Sequence, residues 1–472
     1  MSIKEFYNMI KNKKIVMLGA GISNNELAIL LQCQGAEVTL SDCQTRENLG
    51  DICDEMESSG IKLRLGENYL DALEDAEIIF RAPGFYYNHC ALVQARADHK
   101  IVTSETEVFF DTCPCPIYAV TGSDGKTTTT SIIAEFLRAQ GKTVHLGGNI
   151  GRALLSTVEN ISRNDAAVVE LSSFQLISMR RSPDVAVITN ISPNHLDVHK
   201  DMNEYIRAKF NIILHQNSFA KTVLNLDDIS AAKAEDIKAL PEMVRGRAFY
   251  FSRKKTPENG TYLSEDGFLC AAQNGREKKL FHKDEIRIPG VHNIENYLAA
   301  IAAVYPEVDT ENMRDAARSF HGVEHRMELV RNKNNVKWYN DSIATTPTRT
   351  TACLNGSDDN FILIAGGRDK KLSYDALALK ILEKAKTLIL IGESAPLLES
   401  AVQSAIRSNL KSEKNGFHII HADSMERAVT EAQKLAKAGD SVALSPACAS
   451  QDMYKNFEER GKHFKTLVKN IS

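Results

Sequence analysis

The chain has no basic excess, no long apolar run and few cysteines, and each shortage removes a class of protein. Its 472 residues carry 57 Lys and Arg against 61 Asp and Glu, a formal net charge of -4. General nucleic-acid binders carry a basic excess, so no nucleic-acid partner is expected, and anionic ligands must be held by local sites. No stretch approaches the roughly 18 consecutive apolar residues that span a bilayer, and the N-terminus shows no basic segment followed by an apolar run. No membrane partner is expected, and the cytoplasm is the expected location. Nine cysteines, an odd number, are scattered from Cys33 to Cys448 without the Cys-x-x-Cys spacing of a zinc site. They read mostly as small buried hydrophobes of a reducing compartment. Internal repeats and low-complexity tracts are missing too.

What is present is ordinary globular composition, 43% apolar and 25% charged. At roughly 150 residues per domain the length suggests about three domains. The first block opens with a strand-like run at 15–18, the turn Gly19-Ala-Gly21, a helical pattern through Leu31, and a second strand ending on Asp42. That is the layout of a nucleotide-binding βαβ unit. Asn24 stands where a dinucleotide fingerprint places its third glycine, which weakens a nicotinamide reading.

Pro114 and Pro116 interrupt regular structure after residue 112, which sets the first boundary. The second block, 113–322, begins with a strand at 117–120 that runs into Thr121-Gly122-Ser123-Asp124-Gly125-Lys126-Thr127-Thr128. A strand, a glycine turn and a helix start in that order present backbone N–H groups to an anion. Lys126 would meet the β- and γ-phosphates of a nucleoside triphosphate, and the Thr127 hydroxyl would meet Mg²⁺. Val120 replaces the first glycine of the longer phosphate-loop pattern, so the match is to a shorter form. Downstream, an apolar strand stops on Glu170, and a strand at 185–190 leads into a turn carrying Asn194, His195 and Asp197. Mg²⁺ prefers oxygen donors, so His195 is either an unusual metal ligand or a structural turn residue. Lys209 follows on a helix. It is either an ordinary surface lysine or a neutral amine that adds CO₂ to become a carbamate, a carboxylate-like metal ligand.

A polar stretch at 256–275 reads as hairpins and loops, and a helix at 294–304 and an amphipathic segment at 313–320 close the block. The third block, 323–472, alternates strands at 361–365, 388–391, 418–421 and 441–444 with helical patterns. A helix-covered parallel sheet is the economical reading.

Taken together, the phosphate loop, Gly147-Gly-Asn149-Ile-Gly, Glu170-Leu-Ser-Ser-Phe-Gln175, Asn194-His195-Leu-Asp197 and Gly322-Val-Glu-His-Arg326 resemble the Mur ligases. Leu444-Ser-Pro-Ala-Cys-Ala-Ser450-Gln-Asp and Lys455-Asn-Phe457-Glu-Glu-Arg-Gly461 are similar to the branch of that family that adds D-glutamate. The resemblance implies an α/β chain of three consecutive domains. These are a Rossmann-like N-terminal domain for the UDP substrate (1–112), a central P-loop ATPase domain with a mostly parallel sheet (113–322), and a Rossmann-like C-terminal domain for the amino acid (323–472). It implies an ATP- and Mg²⁺-dependent ligase that joins D-glutamate to UDP-N-acetylmuramoyl-L-alanine through an acyl phosphate in peptidoglycan precursor synthesis, working as a monomer.

Residue by residue, Ile22, Ser23, Asp42 and Gly84 match contacts to the uridine nucleotide, and Asn149 and Ser172 match positions that meet the substrate near the metal. Arg46 is shifted from the basic positions that usually follow the aspartate. Asn293 and Asn296 match adenine-side residues, their alternative being an exposed helix start. Arg326 matches a γ-phosphate contact and Asp341 a ribose contact. Thr345, Lys370, Ser450 and Phe457 match the D-glutamate pocket; a solvated loop is the alternative for Lys370. Glu170, His195 and a carbamate on Lys209, with Thr127, match the metal set. Ile343 stands where some members carry lysine, and Arg349 is near enough in sequence to replace it.

Overall fold

Runs such as Ala166-Ala-Val-Val and Phe361-Ile-Leu-Ile-Ala are apolar at every position, which suits strands buried on both faces rather than one. The structure, a computed structural model, bears this out. It describes residues 1–150, 153–192, 198–232, 234–288, 290–355, 360–370, 372–408 and 417–471, with the side chains of Ile22 and Ser23 outside that description. Among the described residues there are sheets of five, nine and six strands in an α/β fold.

The first sheet runs in the order Lys62–Leu65, Glu37–Asp42, Lys14–Leu18, Ile78–Arg81, Ile101–Thr103, parallel throughout. The second runs Arg276–His282, Phe268–Gln273, Gly260–Leu263, Arg247–Ser252, Lys221–Asn225, Val185–Ile188, Ile117–Thr121, Ala166–Glu170, Val144–Gly148. Its first three strands form the hairpins expected in the polar stretch, and the other pairings are parallel. Thr121, Glu170, Gly148 and Ile188 thus end neighbouring parallel strands on one edge, where α/β sheets place ligands. The helices Lys126–Ala139 and Val291–Val304 pack together against this sheet, with Phe136 and Tyr297 in its core.

The first two sheets share one compact unit, Met1–Phe320. Polar contacts, buried or partly buried, tie them. The Arg81 guanidinium, at the end of a first-sheet strand, donates to Phe174 O (2.9 Å) and Ser178 Oγ (3.1 Å). Glu105 accepts from the amides of Leu154 and Leu155 (2.9 and 2.8 Å), and the Tyr86 hydroxyl donates to Glu204 (2.7 Å).

The second unit, His321–Ser472, holds the six-stranded sheet in the order Glu328–Lys333, Val336–Asn340, Ser441–Leu444, Phe361–Gly366, Ala385–Ile391, His418–His421. All its pairings are parallel except the opening hairpin, which sequence reading did not mark. Among the described residues no helix is long and apolar enough to cross a membrane. Five of the nine cysteines are buried, whereas Cys33, Cys43 and Cys90 are exposed and Cys113 is intermediate.

Candidate active site

The loop 121–128 leaves the end of a fully buried strand and enters the helix Lys126–Ala139, whose N-cap is Gly125 in the left-handed region (φ 76°). Two glycines are sterically required. A Cβ on Gly122 (φ 150°) would stand 1.9 Å from Thr189 Oγ1, and one on Gly125 would stand 2.4 Å from Asn296 Oδ1. The neighbouring strand end clamps the loop. Asn190 Oδ1 accepts from the Asp124 amide (2.9 Å) while its Nδ2 donates to the Asp124 carbonyl (3.2 Å), which also receives the Thr189 hydroxyl (2.6 Å). Ser123 Oγ bridges Ser192 O and the Tyr205 hydroxyl, each at 2.8 Å. Sequence reading gave Thr189, Asn190 and Tyr205 no role, because only the strand order brings them to the loop.

Two lysines converge here. Lys126 Nζ folds back onto the carbonyls of Gly122 (2.9 Å) and Ser123 (2.8 Å). Lys209 Nζ donates to the same Gly122 carbonyl (2.7 Å) and lies 4.8 Å over the Tyr205 ring. Lys209 is 2% exposed, which removes the surface-lysine alternative. Burial drives its pKa well below the lysine range; Lys126 adds repulsion, and Glu170 and Asp124 offset part of it. A neutral amine is the form that reacts with CO₂.

Glu170 is 2% exposed, and Asn149 Nδ2 donates to its Oε1 (2.8 Å). Its Oε2 is buried with no hydrogen-bond partner among the described residues. An orphaned, buried carboxylate oxygen at a strand end is costly unless a cation or ligand proton answers it. Thr127, buried on the first helical turn, and Glu170 each offer hard oxygen, the donor type that suits Mg²⁺. His195 lies outside the described residues. Ser172 caps the short helix Ser173–Leu176 in a reciprocal box with Gln175. Asn293 and Asn296 are buried rather than an exposed helix start, and Asn296 links Asn293 Oδ1 (3.1 Å) to the Thr129 hydroxyl (3.2 Å) beside the loop.

In the first sheet, Asp42 holds the glycine turn. Its Oδ2 accepts from the Ala20 amide (2.7 Å) and its Oδ1 from Gln44 (2.8 Å). Asn24, in the place of the third glycine, is buried and donates to Gly19 O (2.9 Å), so it braces the turn instead of leaving it open. Gly84 is exposed. Arg46 is paired with Asp54 (2.9 Å) and Glu57 on the surface.

In the second unit the expected residues gather around the carboxyl ends of the six-stranded sheet. Lys370 Nζ donates to Thr345 Oγ1 (3.1 Å). Desolvation of its tip, then the Arg349 and Arg460 guanidiniums, lower the Lys370 pKa. Arg349 is exposed and donates to the carbonyl of Ile343 (3.2 Å). Asp341 is buried, accepting from Ser445 Oγ (2.7 Å) and the Met327 amide (3.1 Å), and burial raises its pKa to about 6 despite nearby Arg326. Arg460, 1% exposed, ties three segments of this cluster together. It donates to Ser342 O (2.9 Å) and Oγ (3.0 Å), Cys448 O (3.2 Å) and Ala449 O (3.1 Å), and so binds the segments carrying Thr345 and Ser450 to the helix that Phe457 opens. Burial lowers its pKa to about 10, still far above neutrality. Its motif was visible in the sequence, but not its role as a hub.

The family described as the Mur ligase middle domain matches residues 120–304, and the Mur ligase, glutamate ligase domain matches residues 325–448. The chain is 48% identical over 470 residues to a UDP-N-acetylmuramoylalanine--D-glutamate ligase of Acetivibrio thermocellus, covering 99% of each chain. It is 42% identical over 468 residues to the protein of the same name from Clostridium tetani, again 99% of each. Among solved structures it is similar to a UDP-N-acetylmuramate-alanine ligase from Thermotoga maritima (TM-score 0.55, 19% identity, 97% of this chain and 99% of that one). It is also similar to a pseudomurein peptide ligase type C from Methanothermus fervidus (TM-score 0.52, 22% identity, 98% and 100%). At these identities the two structures speak for the fold alone. Both family domains matched in order, and relatives aligned over nearly their whole length at 42% identity and above, place the site in context: the chain belongs to the Mur ligase family.

Proposed function

We propose that this chain is an ATP-dependent amide ligase that adds D-glutamate to UDP-N-acetylmuramoyl-L-alanine in cytoplasmic peptidoglycan precursor synthesis. The observation that carries the reading is the convergence of Lys126, the buried Lys209 and the orphaned Glu170 oxygen at one sheet edge. The names of full-length relatives supply the substrates.

A free carboxylate does not form an amide efficiently, because its leaving group would be oxide. ATP first transfers its γ-phosphoryl group to the carboxylate of the L-alanyl substrate. The amine of D-glutamate then attacks the acyl carbon and expels phosphate. Phosphoryl transfer asks a protein chiefly for positioning and charge neutralisation. Lys126 exchanges its two loop carbonyls for phosphate oxygens, the backbone amides of residues 125–128 at the helix start cradle the phosphates, and Arg326 meets the γ-phosphate. Asn293 and Asn296 face adenine, and Asp341 the ribose. Thr127, Glu170, His195 and a carbamate on Lys209 would hold Mg²⁺, which would supply positive charge to the phosphoryl oxygens.

Residues 1–112 form the Rossmann-like uridine domain, with Ile22, Ser23, Asp42 and Gly84 at the nucleotide. Residues 113–322 form the P-loop domain, where Asn149 and Ser172 meet the substrate, and residues 323–472 form the amino-acid domain. There Thr345, Lys370, Ser450 and Phe457 hold D-glutamate, and Arg349 supplies the positive charge that Ile343 lacks. Lys126→Ala is expected to abolish ADP release that requires both co-substrates, read by coupled ADP assay in a variant whose melting curve is unchanged. Near-normal turnover would overturn the assignment of the loop.

A further inference from the structure

The segment Cys113-Pro-Cys115 takes no part in the site described above, yet it is the junction between the helix Glu105–Thr112 and the strand Ile117–Thr121 that carries the phosphate loop. Its two sulfurs lie 3.6 Å apart, and Cys113 Sγ also points at the Cys115 carbonyl (3.7 Å). Cys115 is 5% exposed and belongs to the same apolar cluster as Phe109 and Phe110, whereas Cys113 is intermediate. Cys113, packed against the edge of that cluster, is therefore the more accessible of the two, and Cys115 lies deeper.

We propose that Cys113 and Cys115 form a thiol modification site that a small-molecule disulfide oxidises to an internal disulfide. The Cys113 thiolate attacks one sulfur of the reagent and expels the first thiolate. The Cys115 sulfur then attacks Cys113 and expels the second. The two protein thiols lose two electrons and two protons, and the reagent leaves as two thiols. Closing the ring shortens the sulfur separation to about 2.0 Å, so the approach is a shift of about 1.5 Å. Charge favours the order of attack. The neighbouring Cys115 hydrogen bond lowers the Cys113 pKa, and the same neighbour, with burial, raises that of Cys115.

The base of the strand is where closure would act. The Ala167 amide donates to Pro116 O (3.0 Å) and the Ile117 amide to Asp184 Oδ2 (2.8 Å), directly after the thiols. The exposed Cys33, Cys43 and Cys90 lie outside this segment and serve as internal controls.

The test treats the full-length protein with oxidised glutathione, alkylates remaining thiols, and digests with trypsin. Residues 101–126 lie between Lys100 and Lys126, contain both sulfurs and no other cysteine, and include no internal Lys or Arg. The expected product is this peptide unalkylated and two hydrogens lighter. In Cys115→Ser the reaction stops at a glutathione adduct on Cys113. Should that variant fail to fold, a monosubstituted trivalent arsenical added to the unaltered protein provides the second measurement, and it is expected to protect both thiols of this peptide from alkylation together. The proposal is overturned if both thiols remain alkylated while Cys33, Cys43 or Cys90 carries glutathione, if the unaltered chain stops at a stable adduct, or if the arsenical leaves the pair open.

Discussion

Replacing Gly122 with alanine tests the loop geometry, because one named atom opposes the new methyl. The Cβ would stand 1.9 Å from Thr189 Oγ1 and 3.1 Å from Asn190 O, on a backbone at φ 150°. Turning Thr189 aside gives up its 2.6 Å hydrogen bond to the Asp124 carbonyl, about 1 kcal/mol. The backbone strain adds about 1–3 kcal/mol. The expected loss is therefore about 2–4 kcal/mol, which lowers the urea midpoint of the transition of Met1–Phe320 by about 1 M at a slope of about 3 kcal/mol/M. Thr189→Ala alone costs about 1 kcal/mol, since Asn190 Nδ2 still serves the Asp124 carbonyl. In the double variant the clashing hydroxyl is gone, so the two losses fall short of their sum by about 1 kcal/mol or more. Circular dichroism in urea on the four proteins reads this cycle. Additive losses, or a Gly122→Ala protein as stable as its parent, would refute the packing argument.

Two further expectations follow from buried titratable groups. Lys209→Ala is expected to lose turnover and to recover part of it in millimolar short carboxylates, read by the coupled ADP assay; full activity without additive would remove the carbamate. Asp341 has a folded pKa near 6 against its ordinary 3.8, so the folded state binds more protons between those values. Its contribution therefore stabilises the protein as pH falls from 7 to 4 and is lost as pH rises through 6, by at most about 3 kcal/mol. The single tryptophan, Trp338, is buried in the second unit and reports its unfolding. In urea titrations followed by its fluorescence, Asp341→Asn should show a smaller gain on acidification than the parent, and equal gains would contradict the sign.

The parallel strands were legible because burial on both faces leaves an unbroken apolar run, as at Ala166–Glu170 and Phe361–Gly366. The hairpin Glu328–Lys333 and Val336–Asn340 escaped, since its first strand is polar and half-exposed at an edge. Its turn did carry a signal. Asn334 and Asn335, both at positive φ (53° and 59°), are the residue type such a two-residue turn favours. At the site, the phosphate loop was readable from local spacing, and so was the strand-ending carboxylate. The side chains that position them were not. Asn190 reaches Asp124 across 66 residues, and Arg460 reaches Ser342 across 118, contacts that only strand order and helix docking create. Asn24 shows the converse, a departure from a glycine pattern that weakened one reading and that the structure explains as a brace of the turn.

The bond that is made, an amide to D-glutamate, defines this ligase. The direct measurement incubates the purified chain with ATP, Mg²⁺ and UDP-N-acetylmuramoyl-L-alanine against a panel of D- and L-amino acids, and follows phosphate release and product mass. Product with D-glutamate alone, stoichiometric with phosphate, is the expected result. Product with another amino acid in place of D-glutamate, or phosphate release without any amide, would contradict it.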